Sequence, residues 1–284
     1  MGVTALRDPS GALGGFGTVT RDLTERRRAE EERVRLLLLE QAARVRAEAA
    51  EASLEARNQF VATAAHELKT PMASLRGAAQ LLLRQLDRGS GPDPQRLRRA
   101  LQVVDGQLGR LARRVDQLLD VARLEAGRLV PHRARADRAA LAARAAARAQ
   151  ARTGRHALRV AAPGPVWAEV DPGRLEQVLA NLLDNAIAYS PDGGPIDVEL
   201  VRPGPGTARL AVRDRGLGIP PERRARVFER FYRAHAGEHL SGLGLGLHLS
   251  RAIVAQHGGA IRAEFPEDGG TRFVVTLPAL PPGA

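Results

Sequence analysis

The stretch VATAAHELKTPMASLRGAAQLLLRQL, residues 61–86, places apolar residues at alternating intervals of four and three. A second stretch, residues 97–122, has the same alternation, and the segment GSGPDP at residues 89–94 lies between the two. Heptad spacing is typical of helices that pack along a seam, and glycine and proline interrupt helices. The sequence therefore predicts a long antiparallel helical hairpin. Because one hairpin leaves much of its apolar surface exposed, we expect two copies to form a dimeric four-helix bundle.

The composition of the 284-residue chain excludes several classes of protein. Because there is no cysteine, disulfide frameworks, thiolate metal sites and cysteine nucleophiles are excluded. Aromatic residues make up only 3% of the chain, which disfavours stacking platforms for single-stranded nucleic acid. No apolar run approaches the ~18 residues of a membrane span, so we expect a cytoplasmic protein without a direct span.

The formal net charge of +11 is unevenly distributed. Residues 128–154 carry seven basic residues and one acidic residue, a net charge of +6, whereas residues 155–284 are nearly neutral. We therefore expect no nucleic-acid partner and attribute the excess charge to a compositional bias towards arginine, with a basic binding patch as the alternative. Lys69 is the only lysine, which excludes a lysine-dependent phosphate loop of the Walker A type.

Outside the hairpin, the pattern predicts three further regions. Residues 11–21 alternate small and apolar residues like the last strand of a domain, and residues 23–59 lack glycine and proline, which predicts a long helix. From residue 128 onward the pattern predicts an α+β sandwich. The predicted helices are residues 138–152, 175–188 and 243–256, and the predicted strands are residues 160–170 (two strands around a turn), 196–201, 208–212, 260–265 and 272–277.

The segment HELKTP begins at His66, within the first helix of the hairpin. Because Ala65 and Leu68 occupy the seam, His66 is predicted on the flank of the bundle, where a ring nitrogen can face solvent. Glu67 can hydrogen-bond the other nitrogen and accept its proton, which leaves a neutral nucleophile. Pro71 removes a helical hydrogen bond, so we expect a kink there. The motif alone fits a surface histidine on a helix that tolerates one proline equally well.

The segment NLLDNAIAYS begins at Asn181, on the predicted helix 175–188. Asn181 and Asn185 share one helical face, with Asp184 beside them. Amide oxygens are suitable ligands for Mg²⁺, which keeps several waters and binds substrate phosphates. Helix caps or satisfied core amides are the alternative interpretation of the two asparagines.

Two glycine-containing segments and a pair of arginines complete the candidate site. The segment DRGLGIP begins at Asp214, directly after a predicted strand. The Asp214 carboxylate can accept a hydrogen bond from the amine of adenine, and the glycines let the backbone approach a ligand closely. The segment GLGLGL, residues 242–247, precedes a predicted helix whose backbone N–H groups can bind phosphate. Arg230 and Arg233 are the candidate cations for the phosphates. The alternative interpretation of the segment at Asp214 is an ordinary turn, and that of the two arginines is a solvated basic loop.

Together with FERF at residues 228–231, these segments resemble, in order, the H, N, G1, F and G2 boxes of the sensor histidine kinases of bacterial two-component systems. The resemblance extends from about residue 60 to residue 278. It implies a catalytic domain with the α/β-sandwich fold shared by gyrase and heat-shock-90. The implied domains are a PAS-like C-terminal remnant (1–21), a signalling linker helix (22–59), a dimerisation and histidine phosphotransfer domain (60–127) and a catalytic ATP-binding domain (128–280).

The resemblance also implies a reaction and its partners. An ATP-dependent protein-histidine kinase autophosphorylates His66, with Glu67 as its base, and passes the phosphoryl group to an aspartate of a response-regulator receiver domain. Thr70 matches the position associated with dephosphorylating that regulator. The implied cofactors are ATP and Mg²⁺, and the implied assembly is a homodimer. A serine-protein kinase or an ATPase on the same nucleotide-binding fold is one alternative, and an arginine-rich helical scaffold or nucleic-acid binder is another.

For the ATP site, the resemblance implies that Asn185 binds Mg²⁺ and that Asn181 lies close to the phosphates. Asp214 selects adenine and Tyr189 stacks near it, below a lid at residues 220–241. The glycines that shape the pocket are Gly216, Gly218, Gly242, Gly244 and Gly246.

Two positions depart from the family pattern. Ala188 replaces a lysine that is common in the family, and Leu243 replaces a threonine or serine. Both changes concern contacts to phosphate, and neither removes an essential role. Because Lys69 is the only lysine, the charge of the phosphates must be met by Mg²⁺, backbone groups and arginine.

Overall fold

The computed structural model describes residues 2–19, 24–87, 93–204, 206–235 and 243–281. It comprises two compact units, Met1–Val61 and Ala62–Ala284. The first unit contains an antiparallel hairpin of β1 (Gly2–Arg7) and β2 (Leu13–Val19). Strand β2 confirms the strand predicted within residues 11–21, whereas β1 was not predicted. The PAS-like character of this hairpin stays a prediction.

Helix α1 (Thr24–Asp87) is a single helix of 64 residues, so the predicted linker helix and the first helix of the hairpin are continuous. The helix does not end at Pro71, although proline removes one of its hydrogen bonds. The predicted turn falls on residues 88–92, which lie outside the described residues. Helix α2 (Pro94–Glu125) begins after Asp93, whose side chain accepts a hydrogen bond from the Gln95 N–H at 3.0 Å and caps the helix. Among the described residues, no helix is both long enough and apolar enough to cross a membrane.

The apolar residues of the predicted seam alternate between half-buried and exposed positions. In α2, the half-buried residues are Leu97, Val104, Leu111 and Leu118. The residues between them are exposed: Leu101 by 53%, Leu108 by 50% and Val115 by 39%. In α1, the half-buried residues are Leu68, Leu75 and Leu82, and Met72 between them is exposed. Each helix therefore carries an apolar stripe that no described residue of the chain covers.

The remainder of the second unit has the predicted α+β fold. Its helices are α3 (Arg138–Gln150), α4 (Pro172–Ala188) and α5 (Gly246–Gln256), with a 3₁₀ helix at Pro221–Arg226. Its strands are β3 (Ala134–Asp137), β4 (His156–Ala161), β5 (Trp167–Val170), β6 (Gly194–Gly204), β7 (Thr207–Arg213), β8 (Ala260–Glu264) and β9 (Arg272–Pro278). Strand β3 was not predicted.

Five strands form a mixed sheet in the order β4-β6-β7-β9-β8, in which only β4 and β6 run parallel. Strands β3 and β5 pair with each other, so the two strands predicted within residues 160–170 belong to different sheets. Core residues alternate along the strands of the large sheet, and α4 packs its apolar face on them. Fully buried examples are Leu179, Leu182, Leu183, Ile196 and Leu200. This packing fixes the position of α4, which carries both asparagines of the candidate site.

The starts of α4 and α5 are set by different local features. Asp171 caps α4, because its carboxylate accepts hydrogen bonds from the N–H groups of Arg174 at 3.0 Å and His132 at 2.9 Å. Burial acts to raise the pKa of Asp171, but these donors outweigh it and the pKa lies below its ordinary value. Helix α5 begins at Gly246 rather than at residue 243 as predicted, because Gly244 has a φ of +65°, which a right-handed helix does not allow.

Candidate functional site

A cavity of about 810 Å³ opens between α2, α4, the loop after β7 and the loop before α5. This volume is within the usual range for small-molecule sites. The predicted site residues that line it are Asn181, Asn185, Tyr189, Asp214, Gly218, Arg233, Gly244 and Gly246. Gly216 and Arg230 lie outside the lining, and Gly242 lies outside the described residues.

The predicted phosphoacceptor motif lies on α1. His66 and Glu67 belong to this helix, but their side chains lie outside the described residues. Thr70, one turn further along, is exposed and is not part of the cavity lining. The roles of these three residues stay predictions.

Asp214 is buried at the end of β7, with 4% of its surface exposed. Its Oδ1 accepts hydrogen bonds from the N–H groups of Gly216 at 3.0 Å and Thr271 at 3.2 Å. Burial raises the pKa of this carboxyl group above its ordinary value, although the two donors act in the opposite direction. No described residue donates a hydrogen bond to Oδ2. This oxygen is therefore available to accept one from a ligand in the cavity.

Two of the predicted glycines permit close approach between backbone segments. A Cβ atom on Gly216 would overlap the carbonyl oxygen of Tyr189, which accepts a hydrogen bond from the Leu217 N–H at 2.9 Å. A Cβ atom on Gly244 would lie 2.7 Å from the carbonyl carbon of Phe231, whose N–H donates to the Gly244 oxygen at 3.1 Å. Both positions therefore shape the cavity through backbone packing.

The two asparagines of α4 differ in their partners. Asn181 is 9% exposed; its Nδ2 donates to the Gly246 carbonyl at 3.2 Å, and its Oδ1 accepts from Gln117 Nε2 at 3.3 Å. Asn185 is half-buried, and no described residue hydrogen-bonds its side chain. Asn181 thus joins α4 to α2 and to the start of α5, whereas the amide oxygen of Asn185 is available to a cation.

The rest of the lining combines an aromatic pair with apolar side chains. The rings of Tyr189 and His235 lie 5.5 Å apart between centroids, and His235 Nε2 hydrogen-bonds the Gly218 carbonyl at 2.8 Å. Apolar residues that line the cavity include Ile187, Ile219, Leu245 and Phe273. Apolar walls beside a buried carboxylate suit a flat heteroaromatic ring that carries an amine.

The two arginines that the sequence singled out occupy different surroundings. Arg233 lines the cavity, whereas Arg230 forms an ion pair with Glu125 at the end of α2. Another cation in the lining, Arg152, was not predicted; it pairs with Asp184 at 2.6 Å. Its place in the lining favours Arg233 over Arg230 as a group that meets ligand phosphates.

Helix α2 is held against α4 by a buried polar contact. Asp120, 5% exposed, accepts hydrogen bonds from Arg174 Nη1 at 2.7 Å and from Gln177 Nε2 at 2.8 Å. Val121 beside it is fully buried. Together with the contact between Gln117 and Asn181, this arrangement makes α2 one wall of the cavity.

The part that α2 plays in the site was not predicted from the sequence. The α2 residues in the lining are Gly106, Arg110, Arg113, Arg114, Asp116 and Gln117. Most of them follow the same intervals of four and three as the apolar seam, but on another face of the helix. This second polar periodicity was the signal that could have identified them.

Two family models match the chain. The His Kinase A (phospho-acceptor) domain matches residues 56–127, and the histidine kinase-, DNA gyrase B- and HSP90-like ATPase matches residues 170–281. The chain belongs to the sensor histidine kinases. The predicted fold class, a helical phosphoacceptor region followed by an ATPase domain of this type, is confirmed.

Curated histidine kinases resemble the chain over most of its length. The histidine-protein kinase/phosphatase MprB of Mycobacterium sp. (strain KMS) is 37% identical over 81% of this chain and 45% of its own length. The sensor-like histidine kinase SenX3 of Mycolicibacterium smegmatis is 32% identical over 79% of this chain and 58% of its own. The chain thus spans about half the length of the curated relatives it matches.

Solved histidine kinase structures resemble the chain as well. The structure of AdeS from Acinetobacter baumannii matches 75% of this chain and 97% of its own, with 25% identity and a TM-score of 0.54. Full-length ShkA in complex with AMPPNP matches 80% of this chain and 47% of its own, with 25% identity and a TM-score of 0.56.

The contact between α2 and α4 predicts a measurable coupling between Asp120 and Arg174. Asp120→Ala leaves a partly buried guanidinium without its carboxylate, so we expect the free energy of unfolding to fall by about 1–3 kcal/mol. Asp105→Ala, at an exposed position on the same helix, is the control and should change it by less than about 0.5 kcal/mol. Urea unfolding of both single variants and of Asp120→Ala/Arg174→Ala measures the coupling. Strictly additive effects of the two substitutions would show that the pair does not form in solution.

Proposed function

We propose that this histidine kinase autophosphorylates His66 from ATP. The observation that carries the proposal is the cavity, in which the buried carboxylate of Asp214, the amide of Asn185 and apolar walls come together. Among the described residues, neither Asp214 Oδ2 nor the Asn185 side chain has a hydrogen-bond partner. The carboxylate can accept a hydrogen bond from the amine of adenine, and the apolar walls can pack against the ring of the base. The match of residues 56–127 to a phosphoacceptor domain supports a histidine acceptor in the same chain.

The proposed chemistry is phosphoryl transfer from oxygen to nitrogen. A ring nitrogen of His66 attacks the γ-phosphorus, and the bond from that phosphorus to the bridging oxygen of the departing ADP breaks as the N–P bond forms. Glu67 hydrogen-bonds the other ring nitrogen and takes up its proton. Catalysis comes from positioning and from stabilisation of phosphate charge. The assignment of His66 and Glu67 rests on the sequence motif.

Asn185 fits a magnesium ligand. Among the described residues, no three acidic or histidine side chains cluster as a protein-only metal site would need. A single amide oxygen suits an ion held mainly by water and phosphates, and Mg²⁺ bound in this way neutralises phosphate charge. Asn181, committed to Gln117 and Gly246, acts in this proposal by fixing α4 beside the phosphates. Arg233, which also lines the cavity, contributes positive charge.

The second half of the proposed function is transfer to a partner protein. The phosphoryl group passes from His66 to an aspartate of a response-regulator receiver domain, in the cytoplasm. Thr70 serves in the reverse role of dephosphorylating the regulator. The name of the relative MprB, a kinase/phosphatase, supports both activities for this chain.

The active form in this proposal is a homodimer. The exposed stripe of Leu101, Leu108 and Val115 on α2 and of Met72 on α1 lies along the heptad seam. Pairing of two hairpins would bury this stripe in a four-helix bundle, at about 1.5–3 kcal/mol for each large apolar side chain.

Phosphorylation of His66 predicts an acid-labile label. Incubation of the chain with γ-labelled ATP and Mg²⁺ should label the protein, and the label should be lost in acid, because a phosphoramidate bond hydrolyses where a phosphoester survives. His66→Gln should abolish labelling, whereas His132→Gln, at an exposed position, should leave it intact.

Two results would contradict this assignment. Equal labelling of the His66→Gln variant and the parent would show that another residue is the acceptor. An acid-stable label on the parent would favour the serine-kinase alternative.

The dimer proposal predicts a change of mass on disruption of the stripe. Leu108→Glu places a charge at a half-exposed seam position, so the isolated hairpin should still fold while the paired bundle should not. Light scattering after size exclusion should show a dimer for the parent and a monomer for this variant. Gln102→Glu, exposed on the same helix but off the seam, should remain dimeric. A monomeric parent would refute the proposed bundle.

A further inference from the structure

We propose that helix α2 of the phosphotransfer region supplies two phosphate-binding residues, Arg110 and Arg113, to the nucleotide in the cavity. The inference rests on the proposed function, because it takes ATP as the ligand of the cavity. It assigns part of the nucleotide site to the helical hairpin, outside the ATPase domain.

The register between α2 and α4 places these arginines. Asp120 contacts Gln177, and Gln117, one turn earlier in α2, contacts Asn181, one turn later in α4. The two helices therefore run antiparallel where they meet. Arg113 precedes Gln117 by four residues, about 6 Å along the helix axis, and Arg110 by seven, about 10 Å.

On α4, Asn185 follows Asn181 by four residues, and Ala188 follows it by seven. Arg113 thus lies opposite the proposed magnesium ligand, and Arg110 lies opposite Ala188. All four residues line the same cavity. The phosphates of a nucleotide bound at Asn185 would therefore lie beside α2.

The balance of charge in the lining supports this assignment. Because Lys69 is the only lysine of the chain, phosphate-binding cations in the cavity have to be arginines. Arg152 is paired with Asp184. No ion pair joins Arg110 or Arg113 to a carboxylate of the described residues. Their charge is available to a polyanion, and guanidinium groups bind phosphate through two parallel hydrogen bonds.

The surroundings of Arg110 leave room for such a ligand. Its Nε donates a weak hydrogen bond to the Gly106 carbonyl at 3.3 Å, which leaves both terminal nitrogens of the guanidinium for other partners. Gly106 also lines the cavity, and a Cβ atom there would meet only Arg110 Nη2, at 3.9 Å. A glycine inside a helix costs about 1 kcal/mol relative to alanine, and here it leaves open space beside the guanidinium.

One consequence follows for the arrangement of the two regions. A nucleotide that contacts Arg110 and Arg113 as well as Asn185 would bridge α2 and α4. Its terminal phosphates would stabilise the packing of α2 on the ATPase domain, in addition to the contact at Asp120. A nucleotide without these phosphates would lose the contribution of α2.

Titration calorimetry of the full chain in Mg²⁺ tests the proposal, with AMPPNP and AMP as the probes. Arg110→Gln/Arg113→Gln should raise the Kd for AMPPNP about tenfold or more, because charge-assisted hydrogen bonds to phosphate are lost. The Kd for AMP should change by less than about twofold, which also shows that the cavity is intact. Arg98→Gln/Arg99→Gln removes the same charge from exposed positions of α2 outside the cavity lining, and should leave both values unchanged.

Three results would overturn the proposal. An unchanged Kd for AMPPNP in the double variant would exclude a contact to phosphate. An equal loss of AMPPNP affinity in the Arg98→Gln/Arg99→Gln control would show that the effect comes from overall charge. An equal loss of affinity for AMP would show that the substitutions damage the cavity. Failure of the parent itself to bind AMPPNP would instead refute the proposed function on which the inference rests.

Discussion

Burial of the Asp214 carboxylate is the constraint on which the rest of the site depends. A carboxylate with 4% of its surface exposed has to be hydrogen-bonded, and the nearby donors are the backbone N–H groups of Gly216 and Thr271. The loop after β7 must therefore fold back on β9 and on the end of α4, which only glycine permits at residue 216. Asp214 Oδ1 accepts both of these backbone hydrogen bonds, and Oδ2 can accept one from a ligand.

A second polar contact decides what stands opposite that carboxylate. Asp120 on α2 accepts hydrogen bonds from Arg174 and Gln177 of α4, so the helix of the phosphotransfer region is fixed beside the ATPase domain. The contact between Gln117 and Asn181 continues this line towards the cavity. Helix α2 and the cavity are in this way parts of one compact unit.

The sequence predicted the fold class and eight of the residues that line the cavity, because these depend on local patterns: heptads, alternating strands, and glycine and asparagine at fixed spacing. It did not predict β3, the separate pairing of β5, or the roles of Arg230 and α2. Those depend on partners far away in the chain, as in the ion pair between Arg230 and Glu125. The start of α5 was placed three residues too early, because Gly244 has a positive φ that a right-handed helix does not allow.

The most direct test of the account is whether Asp214 recognises the amine of adenine. Inosine triphosphate carries a carbonyl oxygen in place of that amine, so the parent should bind ATP at least about tenfold more tightly than inosine triphosphate. In Asp214→Asn, Oδ1 can keep its two backbone donors while the new amide nitrogen donates to the inosine carbonyl, and the preference should narrow or reverse. Equal binding of the two nucleotides by the parent, or an unaltered preference in the variant, would contradict the assignment of this cavity as an adenine nucleotide site.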